Sequence, residues 1–430
     1  MLLKLGGVST VVVSSRETAK QVLREHDLHC CSRPRVKGAR KLSYNYRDIA
    51  FSRYDDYWKE LRKLCIRELF SPKRVQSIQP IKEMEMKKLI ASITESAFEK
   101  TPVNLSDTFL SLNANVICKA SFGVSFQGTV LNNEKFQDLV HQTLELLGRF
   151  SASEFFPYIG WIFDWFKGLH ARRDKCARDL DAFYEQMIDL HLQKNREARS
   201  EDDFVDLLLR LEKEEAVLGY GKLTRDHIKG ILMGGINTSA ITMAWAMAEL
   251  ARNPRVMKKV QSEIRNLIGK NNKARTISLD ETDQLNYLKM VIKETWRLHP
   301  VSPLLVPREV ISEFKINGYT IQPKTRLHVN VWAIGRDPEE FIPERFMDCD
   351  TDVKGQHFEL LPFGSGRRIC PAVYMGTASV QFVLANLLYQ FDWKLPEGVE
   401  VEDIDMDETA GLTTHKKHDL ILVPVKSLDL

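Results

Sequence analysis

The stretch Pro362-Phe363-Gly364-Ser365-Gly366-Arg367-Arg368-Ile369-Cys370-Pro371 combines residue types and spacings suited to holding a metal-bearing ligand. Cys370 ends a glycine-rich loop just before an apolar run, Val373–Tyr389, that reads as a helix. Amides at a helix N-terminus lower a thiol pKa and favour the thiolate, the form that ligates a metal. Gly364 and Gly366 let the backbone turn sharply beside a flat ligand. Arg368, two residues before Cys370, is spaced to pair with a carboxylate of that ligand. The plain alternative is a free buried cysteine after a tight turn. Against it stands Phe-x-x-Gly-x-Arg-x-Cys, four fixed positions that chance supplies in roughly one chain of this length in several hundred.

Three further groups stand out. Glu294 and Arg297, in Lys293-Glu294-Thr295-Trp296-Arg297-Leu298, are spaced i,i+3 and meet on one helix face; alone, such a pair is a solvated salt bridge. Trp58 and Arg62 are spaced i,i+4 in Tyr57-Trp58-Lys59-Glu60-Leu61-Arg62-Lys63, which otherwise reads as an amphipathic surface helix. Gly234-Gly235-Ile236-Asn237-Thr238-Ser239 places a glycine pair inside a helical stretch, where it costs stability and serves either close helix packing or a function.

Taken in order along the chain, these segments resemble the cytochrome P-450 family, the haem-thiolate monooxygenases. The resemblance covers nearly the whole chain and is nearest to the plant microsomal group, through Val331-Trp332-Ala333-Ile334-Gly335-Arg336-Asp337-Pro338 and Phe391-Asp392-Trp393-Lys394-Leu395-Pro396. It implies haem as cofactor, with Cys370 as the axial ligand of the iron and Phe363, Gly366 and Arg368 forming its loop. Trp58, Arg62 and Arg308 (in Pro307-Arg308-Glu309) then match propionate-binding positions. Glu294, Arg297 and Arg345 (in Pro343-Glu344-Arg345-Phe346) match a buried ionic lock under the cysteine loop. Thr238 matches the residue that holds water and relays a proton to dioxygen, with Asn237 beside it. Substrate contacts by the same resemblance come from Leu304, Leu305, Val306, the Ile231–Thr242 helix and the loop Ala410–Thr414. The implied partners are dioxygen, a small apolar substrate and an NADPH-dependent reductase, the last facing the basic stretch Lys59, Arg62, Lys63, Arg67, Lys73 and Arg74. A solvated helix face explains that stretch equally well.

The elements that must position these residues are mostly helical. Periodicity gives helices over Asp55–Phe70, Lys82–Phe98, Asn133–Leu147, Arg172–Leu192 and Asp202–Glu212, then over about 223–250, Leu279–Leu298 and Val373–Tyr389. Leu2–Leu5 and Thr10–Val13 read as a hairpin about Gly6-Gly7, with Ser14 or Ser15 capping the helix that follows. Glu313–Ile316 and Tyr319–Ile321 flank Asn317-Gly318, a two-residue hairpin turn, and Leu327–Val331 reads as a strand. The expected fold is mainly α with small β-sheets at the two ends. It forms one domain over residues 1–430, with haem between the long threonine-bearing helix and the helix after Cys370.

Composition excludes other classes. Lys and Arg total 61 against 58 Asp and Glu, a net charge of +3 that argues against nucleic acid as partner. Seven cysteines without a CxxC pair argue against a zinc site or a disulfide framework and for a reducing compartment. Asn104-Leu105-Ser106 fits a glycosylation acceptor only as a short pattern. No apolar run is long enough to span a bilayer. The resemblance implies a place on the cytosolic face of the endoplasmic reticulum, where family members begin with a membrane anchor and a proline-rich hinge; the expectation here is a catalytic unit without them. The aromatic cluster Phe155–Phe166 is either a buried helix junction or a patch lying at a membrane interface.

Three departures bear on activity. Asn237 stands where the family usually has an acid, and an amide cannot deliver a proton as a carboxylic acid does, although it can hold a water chain. About five apolar residues are expected to be missing between Ile231-Leu232-Met233 and the glycines, which turns the preceding helix by roughly 140° relative to the motif. A short Trp-containing loop is expected to be missing after Pro338. Two alternatives to a monooxygenase therefore stay open: a haem-binding but catalytically impaired protein, and a dioxygen-independent haem-thiolate isomerase or dehydratase, against which Thr238 argues.

Overall fold

Glycine and hairpin chemistry start the chain. The computed structural model describes residues 1–123, 133–192, 203–215, 217–218, 221–232, 238–269, 275–336, 338–409 and 411–427. Leu2–Leu5 pairs antiparallel with Val8–Val13 across Gly6-Gly7. Gly6 has φ +58°, and a Cβ there would lie 2.3 Å from the Phe155 carbonyl oxygen, so both backbone and space require glycine. Val8–Val13 also pairs in parallel with Arg326–Val329, which takes Arg308–Glu309 as its other neighbour. The expected sheet at the front of the chain is thus a four-stranded sheet joining the first 13 residues to residues 308–329. Local alternation cannot name such a partner, because parallel pairing needs a long crossover. At the far end, Phe391–Lys394, Ile421–Lys426 and Val103–Asn104 form a three-stranded sheet. The Asn317-Gly318 hairpin forms with φ +48° and +84°, the pair of positive angles a type I′ turn demands.

Caps set where helices begin. Asp55 accepts the Trp58 N–H and opens Asp56–Leu64, which passes into a π-helical turn, Cys65–Leu69, where one helix to Phe70 was expected. Asn104, the candidate glycosylation residue, caps Leu105–Phe122 and donates from Nδ2 to Asp107 and Asp419 at 2.8 Å each. The expected helix over 223–250 comprises Arg225–Leu232 and Thr238–Arg252, and residues 233–237, including Gly234, Gly235 and Asn237, lie outside the described residues. The expected Leu279–Leu298 helix is interrupted after Thr282 and resumes at Asn286.

The centre of the fold is the Thr238–Arg252 helix. Every residue from Ala240 to Leu250 is buried, as expected for a helix apolar on all sides. It packs on Leu105–Phe122, on Asn286–Leu298 and on Val373–Gln390, the helix after the cysteine. Met243, Met247 and Leu250 meet Val291, Ile292, Phe382 and Leu387 in the largest apolar cluster. The threonine-bearing and cysteine-bearing segments are thereby fixed on neighbouring helices.

Candidate active site

The cysteine loop is closed by its own backbone. Cys370 N–H donates to the Phe363 carbonyl at 2.9 Å and Gly364 N–H to Leu361 at 3.1 Å. Gly364 and Gly366 have φ +71° and +69°. A Cβ on Gly366 would sit 2.3 Å from the Leu23 carbonyl and 2.7 Å from Asp27 Oδ1, so this glycine answers to the N-terminal segment. The Cys370 thiol is half-buried, and burial raises its pKa against the Ala372 N–H bond and the Arg62 charge, which lower it. Coordination to a metal deprotonates such a thiol outright.

Around the loop lies a buried arginine cluster. Arg368 donates from Nε to Cys31 O (2.7 Å) and from one terminal nitrogen to Ser52 O (2.8 Å). Its Nη1 is buried without a hydrogen-bond partner among the described residues. The guanidinium lies 3.8 Å from the Trp58 ring centre, and burial lowers its pKa to about 9. Trp58 gives its indole N–H to Ile49 O at 2.9 Å, and Arg62 donates to Ile369 O at 2.7 Å.

Arg308 is placed differently from a free propionate ligand. Its two terminal nitrogens are used by Asp27 Oδ1 (2.6 Å) and Ser365 O (2.8 Å). Asp27 also accepts the Arg367 N–H at 3.1 Å, so one carboxylate ties the loop, Arg308 and the segment after residue 26 together. Sequence reasoning missed both Asp27 and Arg33. Arg33 donates to the carbonyls of Ala50 (2.8 Å), Val306 (2.5 Å) and Pro307 (2.9 Å), and burial and the nearby Arg368 and Arg308 cations hold its pKa far below normal. No spacing marks either residue, because their partners lie far along the chain.

The Glu294–Arg297–Arg345 lock forms as expected. Glu294, fully buried, accepts Arg297 Nε and Nη2 (2.8 Å each), Arg345 Nε (2.9 Å) and the Ile342 N–H (2.8 Å). Arg297 Nη1 reaches the carbonyls of Gly335 and Pro338. A Cβ on Gly335 would lie 2.3 Å from the Arg297 carbonyl, which explains the glycine.

Thr238, the first described residue of its helix, is exposed, and its carbonyl accepts Thr242 Oγ1 at 3.2 Å. Thr242 in turn accepts the Trp296 indole N–H at 3.1 Å. Trp296 meets Phe363 edge-on, with ring centres 5.3 Å apart. A Cβ on Gly376 would lie 3.4 Å from Phe363 and 4.0 Å from Ser239 Oγ, so the first turn of the Thr238 helix faces the helix after Cys370. The segment 301–306 meets the loop that ends at Thr414: Thr414 N–H donates to Val301 O at 2.8 Å, and Ser302 Oγ to Leu412 O at 3.3 Å. Leu304 is exposed, and Leu305 and Val306 are half-buried. Ala410 lies outside the described residues.

The cytochrome P450 family model matches residues 1–423. This chain belongs to the cytochrome P450 family. It is 80% identical to cytochrome P450 71B10 of Arabidopsis thaliana, over all of this chain and 87% of that protein. It is 68% identical to cytochrome P450 71B34 of the same plant, with the same coverage. A zebrafish cytochrome P450 solved with abiraterone shares the fold, with TM-score 0.81 at 22% identity over 99% of this chain and 96% of that one. The alignment with 71B10 runs over 438 positions against 430 residues here, so about eight of its positions have no residue in this chain.

A cytochrome P450 is a haem-thiolate monooxygenase. The residues of this P450 fit that cofactor. A half-buried cysteine at the end of a closed loop could supply the soft ligand, and the unsatisfied Arg368 Nη1, near the Arg308 and Arg62 cations, would accept an anionic partner.

The P450's aromatic segment is settled as to burial. Tyr158, Trp165 and Phe166 are 90%, 65% and 76% exposed, so it is no buried junction. Asp164 anchors it from below, accepting the N–H groups of Ala152 (2.8 Å) and Ser153 (3.0 Å) and the Ser151 hydroxyl (2.7 Å). No helix among the described residues is long and apolar enough to cross a membrane.

Proposed function

We propose that this P450, acting as one catalytic unit over residues 1–430, inserts one oxygen atom of dioxygen into a small apolar organic substrate, with electrons from an NADPH-dependent reductase. Haem bound through a thiolate supplies dioxygen activation, because the sulfur pushes electron density that favours O–O cleavage. Cys370 holds the iron. Arg368 offers its free Nη1 to a propionate, with Arg62 and Trp58 beside it. Arg308, held by Asp27, acts mainly by fixing Ser365 and the loop, and Phe363 and Gly366 set the loop's course. Glu294, Arg297 and Arg345 keep the segment beneath in place. Thr238 Oγ1 holds water and passes its proton, and Asn237 orients that water. Leu304, Leu305, Val306 and the loop reaching Thr414 line the substrate side.

The observation that carries this reading is the closed cysteine loop beside an unsatisfied buried arginine. The reduced carbon-monoxide difference spectrum of haem-loaded protein tests it. A red-shifted band, lost in Cys370→Ser, is expected, and an unchanged band in that variant would refute thiolate ligation by Cys370. The roughly eight aligned positions without a residue in this chain favour one second reading, a haem-binding but impaired protein. Normal carbon-monoxide spectra with no oxidation of any apolar substrate in the presence of reductase would select it.

Lys59, Lys63, Arg67 and Lys73 are exposed and fit an acidic reductase face, although Asp56, Glu60 and Glu68 partly neutralise them. The exposed aromatics of Phe155–Phe166 fit the headgroup level of the endoplasmic reticulum membrane on its cytosolic face. Liposome flotation that leaves all protein in the soluble fraction would remove that membrane contact.

A further inference from the structure

Lys82 is the feature the monooxygenase reading leaves unused. It lies on the Gln79–Glu99 helix with only 4% of its surface exposed, and its Nζ has no hydrogen-bond partner among the described residues. The carboxylate one turn along, Glu85, is committed elsewhere: it takes Lys119 Nζ at 2.5 Å and Lys88 Nζ at 3.1 Å. Burial alone depresses the Lys82 pKa, to about 8, with no acidic group offsetting it. An unpaired ammonium in such surroundings is costly, so either the charge or its isolation must be removed.

Beside the lysine is a cavity that can do this. It is lined by residues of the Gln79–Glu99, Leu105–Phe122, Thr238–Arg252 and Val373–Gln390 helices, with Leu112, Val116, Met243 and Phe382 as apolar walls and Asn113 and Ser379 as polar ones. It leaves about 20 Å³ for the centre of a water-sized particle. One such particle needs roughly 10–15 Å³, so there is room for a halide-sized ion. Mostly apolar walls cannot replace the hydration shell of a strongly hydrated ion. They favour one that gives up its water readily.

We propose that this cavity binds one small, weakly hydrated monovalent anion against Lys82 Nζ. The ion would compensate the buried charge and brace the two helices that carry Thr238 and follow Cys370 against the rest of the fold. The proposal does not depend on the substrate or the redox partner.

Melting the haem-loaded full chain in sodium bromide and in sodium fluoride, at matched ionic strength, tests it. Bromide at ten times its half-saturating concentration is expected to raise the midpoint about 1.5 °C above that in fluoride. General salt effects run the other way, since strongly hydrated anions favour the folded state. Lys82→Met is expected to abolish the bromide gain and to melt higher than the parent in fluoride, because an unpaired buried charge is gone. Val116→Leu keeps the charge but narrows the cavity, and should weaken the gain severalfold. A parent midpoint no higher in bromide than in fluoride overturns the site. So does a full gain in Lys82→Met or, should that variant not accumulate, in Val116→Leu.

Discussion

Two buried charge clusters differ in how fully they are paired: the Glu294 lock and the arginines beside the cysteine loop. In the Glu294 lock the carboxylate oxygens take both arginines and a backbone N–H, and Arg297 finds three carbonyls for its remaining donors. In the cluster of Arg33, Arg308 and Arg368, only Arg308 has a carboxylate partner among the described residues, Asp27, and Arg368 keeps one nitrogen unsatisfied. Buried charges that are fully paired hold a structure, whereas a buried donor left open is held by the fold for something else to complete. On the function proposed above, the lock would support the site and the open cluster would receive the cofactor.

The sharpest way to break this contrast is Glu294→Gln. It strands Arg297 and Arg345 and should cost about 3–5 kcal/mol in denaturant unfolding. A cost under about 1 kcal/mol would show that the lock bears no weight. Asp27→Asn keeps the shape but leaves Arg308 uncompensated. A loss of about 2–3 kcal/mol is expected, together with a partial shift of the carbon-monoxide band as the loop loosens. Unchanged values for both would make Asp27 a bystander.

His328, two residues from Arg326 on the same strand, offers a pH probe outside both clusters. Burial and the Arg326 charge lower its folded pKa to about 4, against about 6.5 unfolded. The unfolded chain therefore binds the proton first. Stability from this residue is present above pH 6.5 and is lost as pH falls towards 4, by roughly 2 kcal/mol after allowance for its partial exposure. His328→Gln should flatten the curve in that window. An identical pH dependence in the variant would contradict the assignment.

Arg368→Met probes the open cluster itself. Stability without haem should change by less than about 1 kcal/mol, since lost hydrogen bonds offset the relief of burying a partly unpaired cation. Haem retained through gel filtration should still fall severalfold. A large stability loss with normal haem content would reverse the roles given to the two clusters.

Much of this P450 was legible in the order of its residues. Cys370 and its glycines, the Glu294–Arg297 spacing and the Asn317-Gly318 turn are local patterns, fixed by neighbours in the chain. The Leu105–Phe122 helix was not singled out, because burial on several faces blurs its period. Pro254–Ile268 was also passed over, although Pro254 and Gly269 bracket it with the expected start and stop residues. Only the tertiary structure decided which buried charges are answered. Arg308 meets Asp27 from 281 positions away, Arg33 is surrounded by carbonyls, and Lys82 meets no counter-charge among the described residues. Residue type sets the charge, but packing sets its partners, because a desolvated cation is answered only by what the fold brings within a few ångströms of it.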